Sequence, residues 1–121
     1  MRKAFKPTEC RKNRFVLRIE GVDLPEWLVT DVSYCGGKLV VTYREVKEFF
    51  SSEFFDNNGQ NVVNTTAKLE FLDEVGVVIG DAVFTGVSFE TMQMDKLSYK
   101  DDSILCNTVY FAYNDVKHRS I

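Results

Sequence analysis

The stretch TTAKLEFLDEVGVVIGDAVFTGVSF, residues 65–89, decides the fold class of this chain. Apolar and polar residues alternate along Thr66–Leu72, which is the pattern of a strand with one face on a core. Asp73–Gly76 has the composition of a hairpin turn, and Val77–Ile79 and Ala82–Phe89 continue as strand. The stretch therefore predicts two antiparallel strands joined by a tight connection.

Similar patterns elsewhere predict further strands at Arg14–Glu20, Trp27–Tyr34, Lys38–Tyr43 and Leu105–Tyr113. We expect the second of these to lie antiparallel to the first. Cys35-Gly36-Gly37 then supplies a turn into the third, since glycine accepts positive φ without strain.

The apolar period changes from two to about 3.6 residues between Arg44 and Phe55. Val46, Phe49, Phe50 and Phe54 follow the i, i+3, i+4, i+8 spacing of an amphipathic helix, and we interpret the Phe stripe as core.

The predicted fold is mainly β: an antiparallel β-sandwich or small barrel with one α-helix packed against it. An extended arm at residues 1–13 precedes a single β domain at residues 14–115, and a polar C-terminal tail follows at residues 116–121. A chain of 121 residues is long enough for one real core.

Composition disfavours several functional classes. The net charge of −3 disfavours a general DNA-binding surface, because such surfaces need clustered Lys and Arg. No apolar run approaches the roughly 20 residues that span a bilayer. The basic start MRKAFKPTECRKNR has no apolar segment behind it, so it is not a secretory signal and predicts a chain made in a cytoplasm.

Catalytic, cofactor and metal sites are not predicted. The one histidine, His118, lies in the predicted C-terminal tail with no nearby Cys or Ser on an ordered turn, and no CxxC pair is present. Cys10, Cys35 and Cys106 are either free thiols of a reducing compartment or candidates for disulfides between subunits.

Several predicted strands have apolar residues on both faces, as in Leu39-Val40-Val41 and Val109-Tyr110-Phe111. A two-layer core or contacts between subunits would explain this pattern, and exposed edges of a small barrel favour pairing with another copy. The residues that we expect to carry strand pairing between subunits are Phe15, Leu17, Ile19, Val109, Phe111 and Tyr113.

The region from Lys38 to about Asp115 resembles the tail tube proteins of contractile-tailed bacteriophages and the related tube proteins of type VI secretion and contractile injection machines. The resemblance consists of KLVVTYREVKEFFSSEFF, AKLEFLDEVGVVI, AVFTGVSFETMQM, the acidic link DKLSYKDDS and the closing strand ILCNTVYFAYNDV. The opening NRFVLRIEGVDLPEWLVTDVSY is similar to their first hairpin.

The resemblance implies a structural virion protein, a subunit of hexameric rings that stack into a hollow conduit through which DNA passes without specific binding. Its implied partners are itself, the tail sheath and the baseplate, and its implied location is the tail, assembled in the host cytoplasm. The connection between the second and third strands is shorter than is usual in the family, so a baseplate, initiator or adaptor protein of the tail is the alternative.

Two other classes stay open from the residues alone. A small barrel adaptor would bind another virion protein as a monomer or dimer. A nucleic-acid-binding barrel would need aromatic residues beside basic ones on one sheet face, and only Arg14 and Arg18 meet that condition.

Overall fold

The computed structural model describes residues 12–22, 26–45, 62–95, 97–100 and 103–121. The prediction of a mainly β, antiparallel fold is confirmed in these residues. They form one short 3₁₀ helix, Glu26–Leu28, and seven strands: β1 Phe15–Ile19, β2 Val29–Cys35, β3 Lys38–Arg44, β4 Thr65–Leu72, β5 Val78–Met94, β6 Cys106–Ala112 and β7 Asp115–Ser120.

The long strand β5 organises the sheet. Its first part pairs with β4 on one side and β7 on the other, and its second part, from Ser88 to Met94, pairs with β6. The strand order is β1-β4-β5-β6-β3-β2, with β7 beside β5. We call β1, β4, β7 and the first part of β5 sheet A, and β2, β3, β6 and the second part of β5 sheet B.

The change from sheet A to sheet B occurs at Gly86, whose φ is +67°. β6 and β7 pair with the same side of β5, and β6 ends and β7 begins opposite this point. Asn114 lies between β6 and β7 and donates its backbone N–H to the carbonyl of Thr85 at 2.8 Å. A positive φ is easy for glycine and costly for other residues. The bend therefore depends on a residue without a side chain.

The core lies between the two sheets. Leu69 and Phe84 of sheet A and Val41, Val109 and Phe111 of sheet B are buried, as the alternation of the strands requires. Tyr34 of β2 meets the edge of Phe84 with ring centroids 4.9 Å apart. An aromatic pair of this kind links the faces of the two sheets.

The turn between β4 and β5 lies at the predicted position. The Asp73 side chain accepts hydrogen bonds from the backbone N–H groups of Val75 at 3.0 Å and Val77 at 2.8 Å. Gly76 takes a φ of +90° in the same turn. The turn thus forms for the reasons that make Asp and Gly typical of turns: the Asp side chain binds nearby backbone N–H groups, and Gly accepts a positive φ.

Two predictions from the sequence are corrected. β1 pairs with β4, and β2 pairs with β3, so the first two strands do not form a hairpin with each other. The polar C-terminal tail predicted at residues 116–121 lies mostly in a strand, because Asp115–Ser120 forms β7. Its Arg119 lies opposite the buried Asp81 of β5 and neutralises it.

The predicted helix at Arg44–Phe55 falls almost wholly outside the described residues. Arg44 itself is the last residue of β3. A closed barrel is not formed within the described residues, since β1 and β2 are the two ends of the strand order and do not pair with each other.

Candidate assembly edges

Sheet B ends in two strand edges that no described strand covers. β2 pairs with β3 along one side only, from Val29 to Cys35. β4 accompanies β5 no further than Val87, so the residues from Ser88 to Met94 pair with β6 on one side. On the other side of this segment, the carbonyl of Val62 accepts the N–H of Phe89 at 2.9 Å, and the N–H of Asn64 donates to the hydroxyl of Ser88 at 2.9 Å, but no described strand forms a ladder with it.

The two edges have complementary directions. Neighbouring strands in sheet B are all antiparallel, and the order β2-β3-β6-β5 contains an even number of strands. The β2 strand of a second copy placed beside the second part of β5 would therefore run antiparallel to it. Such an arrangement continues the same ladder pattern from one copy to the next.

Five of the six residues that the sequence analysis predicted to carry pairing between subunits lie on two different kinds of strand. β1, with Phe15, Leu17 and Ile19, is the end strand of sheet A and pairs only with β4 among the described strands. β6 lies between β3 and β5 and is hydrogen-bonded along both sides within the chain. Since a backbone ladder cannot be used twice, Val109 and Phe111 act as buried core residues instead.

Tyr113, the last of the six, comes directly after β6. Its backbone N–H donates to the carbonyl of Gly37 at 2.9 Å, and its ring meets Phe84 with centroids 5.0 Å apart. Tyr113 therefore holds the β2–β3 turn against the core.

A groove lies between the two end strands, where the sheet does not close. Its volume is about 480 Å³. Apolar side chains from both layers line it, together with polar groups at its rim: Lys12, Phe15, Thr30, Asp31, Val32, Tyr34, Leu69 and Phe71.

Tyr34 also connects β2 to β7. Its hydroxyl lies 2.7 Å from Nε2 of His118, and the two rings are stacked with centroids 5.8 Å apart. Burial, together with Tyr113 nearby, raises the pKa of the Tyr34 phenol above its ordinary value of 10.0. The phenol is therefore neutral at physiological pH, and the pair acts as a link between the two sheets.

The cysteines differ in accessibility. Cys35 is exposed at the end of β2, and Cys106 is partly buried at the start of β6; neither is in a disulfide. Burial and the nearby Asp95 carboxylate raise the pKa of the Cys106 thiol. Cys10 lies outside the described residues, so disulfides between subunits stay a prediction.

The described residues contain no group of three or more His, Cys, Asp or Glu side chains that could hold a metal ion. In the same part of the chain, no helix has both the length and the apolar character to cross a membrane.

Solved structures similar to this one include a chain of an extracellular contractile injection system and a chain of the anti-feeding prophage. A chain in the sheath–tube complex of the extracellular contractile injection system PVC, in its extended state, has a TM-score of 0.72 at 11% identity, covering 93% of each chain. A chain in the anti-feeding prophage baseplate has a TM-score of 0.70 at 14% identity, covering 93% of this chain and 97% of the other. Hcp1 from Flavobacterium johnsoniae has a TM-score of 0.64 at 13% identity, covering 87% of this chain and 94% of the other.

This chain has the tube-protein fold of contractile injection systems. The resemblance seen in the sequence is thereby confirmed at the level of the fold. No protein-family model matches the sequence, and no curated protein is similar to it in sequence. The fold persists across identities of 11–14%, which agrees with a fold defined by pleat and strand order rather than by particular residues.

Among the described strands of this chain, the uncovered edges lie on β2 and on the second part of β5, strands that the sequence analysis did not predict to pair between subunits. The signal in the sequence that points to β5 is the close succession of strand-like segments between Val78 and Met94. In the structure they form one strand of 17 residues, whereas strands usually have about 5–6. A strand of that length is longer than the neighbouring strands of one sheet, so part of it must extend past them.

Proposed function

We propose that this protein is a structural subunit that assembles with copies of itself into rings, and that the rings stack into a hollow tube. The observation that carries the proposal is the pair of complementary free edges on sheet B. Joining β2 of one copy to the second part of β5 in the next is a head-to-tail contact, and such contacts close into rings when the rotation between copies is suitable. The similarity to chains of tube and baseplate assemblies supports this choice.

Six copies per ring is the number that the resemblance implies. In such a ring sheet B would form one continuous barrel around the lumen, and its edge strands would no longer be exposed. Free edges on a soluble monomer invite uncontrolled pairing, so a closed ring removes a liability of the isolated subunit. The tube would pass its cargo without gripping it; DNA is the cargo of the phage version of this proposal.

The chemistry of the outer face of sheet B supports a passive conduit. Away from the core it carries Thr42 and Thr108, whose hydroxyl oxygens lie 3.3 Å apart, and its exposed Lys38 is paired with Glu90. The same face carries one exposed acid, Asp31, and one exposed base, Arg44, so its charges balance. A face of hydroxyls and balanced charges offers no strong site to a passing polymer.

A second function is a terminal ring, at the baseplate or at the start of the tube. The similarity to the anti-feeding prophage baseplate chain favours it. In this version the subunit forms one ring and requires another tail protein to continue. The expected partners in both versions are sheath and baseplate proteins, and the expected location is the tail of a phage-like particle.

Negative-stain electron microscopy over a protein concentration series tests the proposal. Rings or hollow filaments support the tube subunit, and single rings that do not stack support the terminal ring. Monomers at every concentration, both alone and with preformed rings added, would contradict self-assembly.

Proline substitutions identify the edge. Successive backbone N–H groups of a strand point alternately to opposite sides. Val32 and Ser33 are neighbours in β2, so proline at one of them removes a hydrogen bond to β3. Proline at the other removes a donor at the uncovered edge. We expect the variant that affects the free edge to stay folded by circular dichroism and to form no rings. If that folded variant assembles normally, β2 is not the joining edge.

A further inference from the structure

The groove between the two end strands reaches the free edge of β2. Val32 and Tyr34 line it and point to the core side of sheet B, because they lie opposite buried residues of β3. Asp31 also lines the groove, although as the residue before Val32 it points to the other face. Since residues of both faces of β2 take part, the groove opens at the strand edge itself. A strand added to this edge would cover the groove with its own core-side residues.

The walls of the groove are mainly apolar and rich in aromatic rings. Phe15, Tyr34 and Phe71 line it together with Val32 and Leu69. Its volume of about 480 Å³ is many times the roughly 30 Å³ that one water molecule takes up. Phe15 and Phe71 pack against the core but are only half-buried. Apolar side chains that enter the groove would remove this surface from water, which is favourable.

The other free edge of sheet B presents two methionines on the matching face. Met92 lies opposite the buried Val109, and Met94 lies opposite the buried Asn107. Both methionines therefore point to the core side of sheet B. Met92 is half-buried and Met94 is 44% exposed, and no described strand covers them on the side away from β6.

We propose that Met92 and Met94 of one copy close the groove of the next copy. The inference rests on the ring proposed above and adds the side-chain contact that decides which faces meet. Four residues lie opposite one another in turn across sheet B: Val32, Val41, Val109 and Met92. With β2 of one copy beside β5 of another and no shift along the strands, Met92 is therefore level with Val32. A shift of two residues brings Met94 to that level, whereas a shift of one residue turns both methionines away from the groove.

The chemistry of the two surfaces is complementary. Methionine is unbranched and flexible, so it fills irregular gaps, and its sulfur makes favourable contacts with aromatic rings. The rings of Phe15, Tyr34 and Phe71 supply such partners in the groove. Because one chain carries both the groove and the methionines, a second copy is a sufficient partner. A closed head-to-tail ring uses each groove and each pair of methionines once and leaves neither uncovered.

Disulfide cross-linking between copies tests the contact. The background lacks the native cysteines through the substitutions Cys10→Ser, Cys35→Ser and Cys106→Ser. In it, Val32→Cys is combined with Met92→Cys in one variant and with Met94→Cys in a second. Val32 and Met92 of the same chain are three strand spacings apart, roughly 14 Å, whereas a disulfide joins Cα atoms no more than about 7 Å apart. A disulfide in either variant therefore joins two copies.

Val32→Cys with Gln93→Cys is the matched control. Gln93 lies between the two methionines and opposite Thr108, so it points to the other face of the sheet. After oxidation of assembled protein with copper phenanthroline, non-reducing gels should show a ladder of covalent oligomers. We expect at least tenfold more cross-linked protein in one of the two methionine variants than in the control.

Electron microscopy of the same samples separates the two levels of the inference. Rings without a cross-link in either methionine variant, or with an equal cross-link in the control, would overturn the groove contact and leave the ring proposal intact. Absence of rings from the wild type at every concentration would overturn both.

A charge placed on each face gives a second test. Met94→Asp would bring a carboxylate into the apolar groove, which is costly, whereas Gln93→Asp adds the same charge on the other face. We expect Met94→Asp to raise the protein concentration at half-assembly at least tenfold and Gln93→Asp to raise it less than threefold. Equal effects of the two substitutions, or normal assembly of Met94→Asp, would contradict the groove contact. Circular dichroism of each variant separates lost assembly from lost folding.

Discussion

The side chain of Asn114 occupies the space beside Gly86 that a Cβ atom there would need. An ideal Cβ on Gly86 would lie 2.6 Å from Cγ of Asn114, well inside any real carbon–carbon contact. Gly86 is the residue at which β5 passes from sheet A to sheet B. The bend that joins the two sheets is thus fixed by a glycine and by the asparagine between β6 and β7.

We therefore expect Gly86→Ala to destabilise the fold more than Gly76→Ala. Both glycines have positive φ, where an L-residue costs about 1–3 kcal/mol, but nothing lies within 4 Å of a Cβ on Gly76. Urea unfolding of the two variants gives the comparison. Adding Asn114→Ala to Gly86→Ala should recover part of the difference, and equal losses in the two single variants would show that the contact with Asn114 is unimportant.

The ion pair between Asp81 and Arg119 should make stability depend on acid pH. The hydrogen bonds and charge of Arg119 lower the pKa of Asp81 below its ordinary value of 3.8 in the folded protein. This stabilisation is fully present above pH 3.8 and is lost as the pH falls through the lowered pKa. In Asp81→Asn the thermal midpoint should change less between pH 5 and pH 2 than in the wild type, and identical profiles would contradict this assignment.

Tyr34 should contribute through its ring more than through its hydroxyl. Tyr34→Phe keeps the contact with Phe84 and removes the hydrogen bond to His118, so a loss of about 0.5–1.5 kcal/mol is expected. Phe84→Ala removes a fully buried side chain and should cost about 3–5 kcal/mol. Chemical denaturation measures the free energy of unfolding of both variants. A larger decrease in Tyr34→Phe than in Phe84→Ala would show that the hydrogen bond to His118 stabilises the fold more than the core contact does.

Proline at Val109 should unfold the protein rather than only block assembly. β6 is paired on both sides within the chain, so a proline there disrupts the interior of the sheet. Loss of the cooperative melting transition, measured by circular dichroism, is the expected result. A folded Val109→Pro monomer would mean that the sheet stays intact after a backbone hydrogen bond of β6 is lost.

Alkylation should distinguish the cysteines. Cys35 is exposed, whereas the raised pKa of Cys106 lowers its thiolate fraction at neutral pH. In a Cys10→Ser background, iodoacetamide at pH 7.5 should modify Cys35 first, and the rate at Cys106 should rise as the pH approaches and passes the ordinary value of 9.0. Mass spectrometry follows both sites. Faster modification of Cys106 would show that the start of β6 opens readily.

Local patterns predicted most of the strands. The alternation in Thr65–Leu72 and the chemistry of Asp73 and Gly76 act within a few residues, so the connection between β4 and β5 follows from the amino-acid sequence alone. The same reasoning failed for β7, because DVKHRS shows little apolar alternation and its stability comes from pairing with β5. Arg119 has its structural role only because Asp81, 38 residues earlier, is buried beside it.

The assembly edges were the least predictable part. Which strand is an edge depends on the order of strands in space, and the order β1-β4-β5-β6-β3-β2 brings together segments far apart in sequence. An apolar strand such as β6 has the same pattern whether its backbone faces a partner in the same chain or in another. The apolar pattern of the sequence therefore predicted Phe111 to lie at an interface between subunits, whereas the strand order of the structure places it in the buried core.

The sequence by itself determined the fold class, the periods of the strands and the resemblance to tube proteins, since these follow from side-chain alternation and turn chemistry over short distances. Only the tertiary structure decided which strands are edges, where β5 bends and which charges are covered. Those properties arise from backbone pairing and burial between distant segments, and no local pattern specifies them.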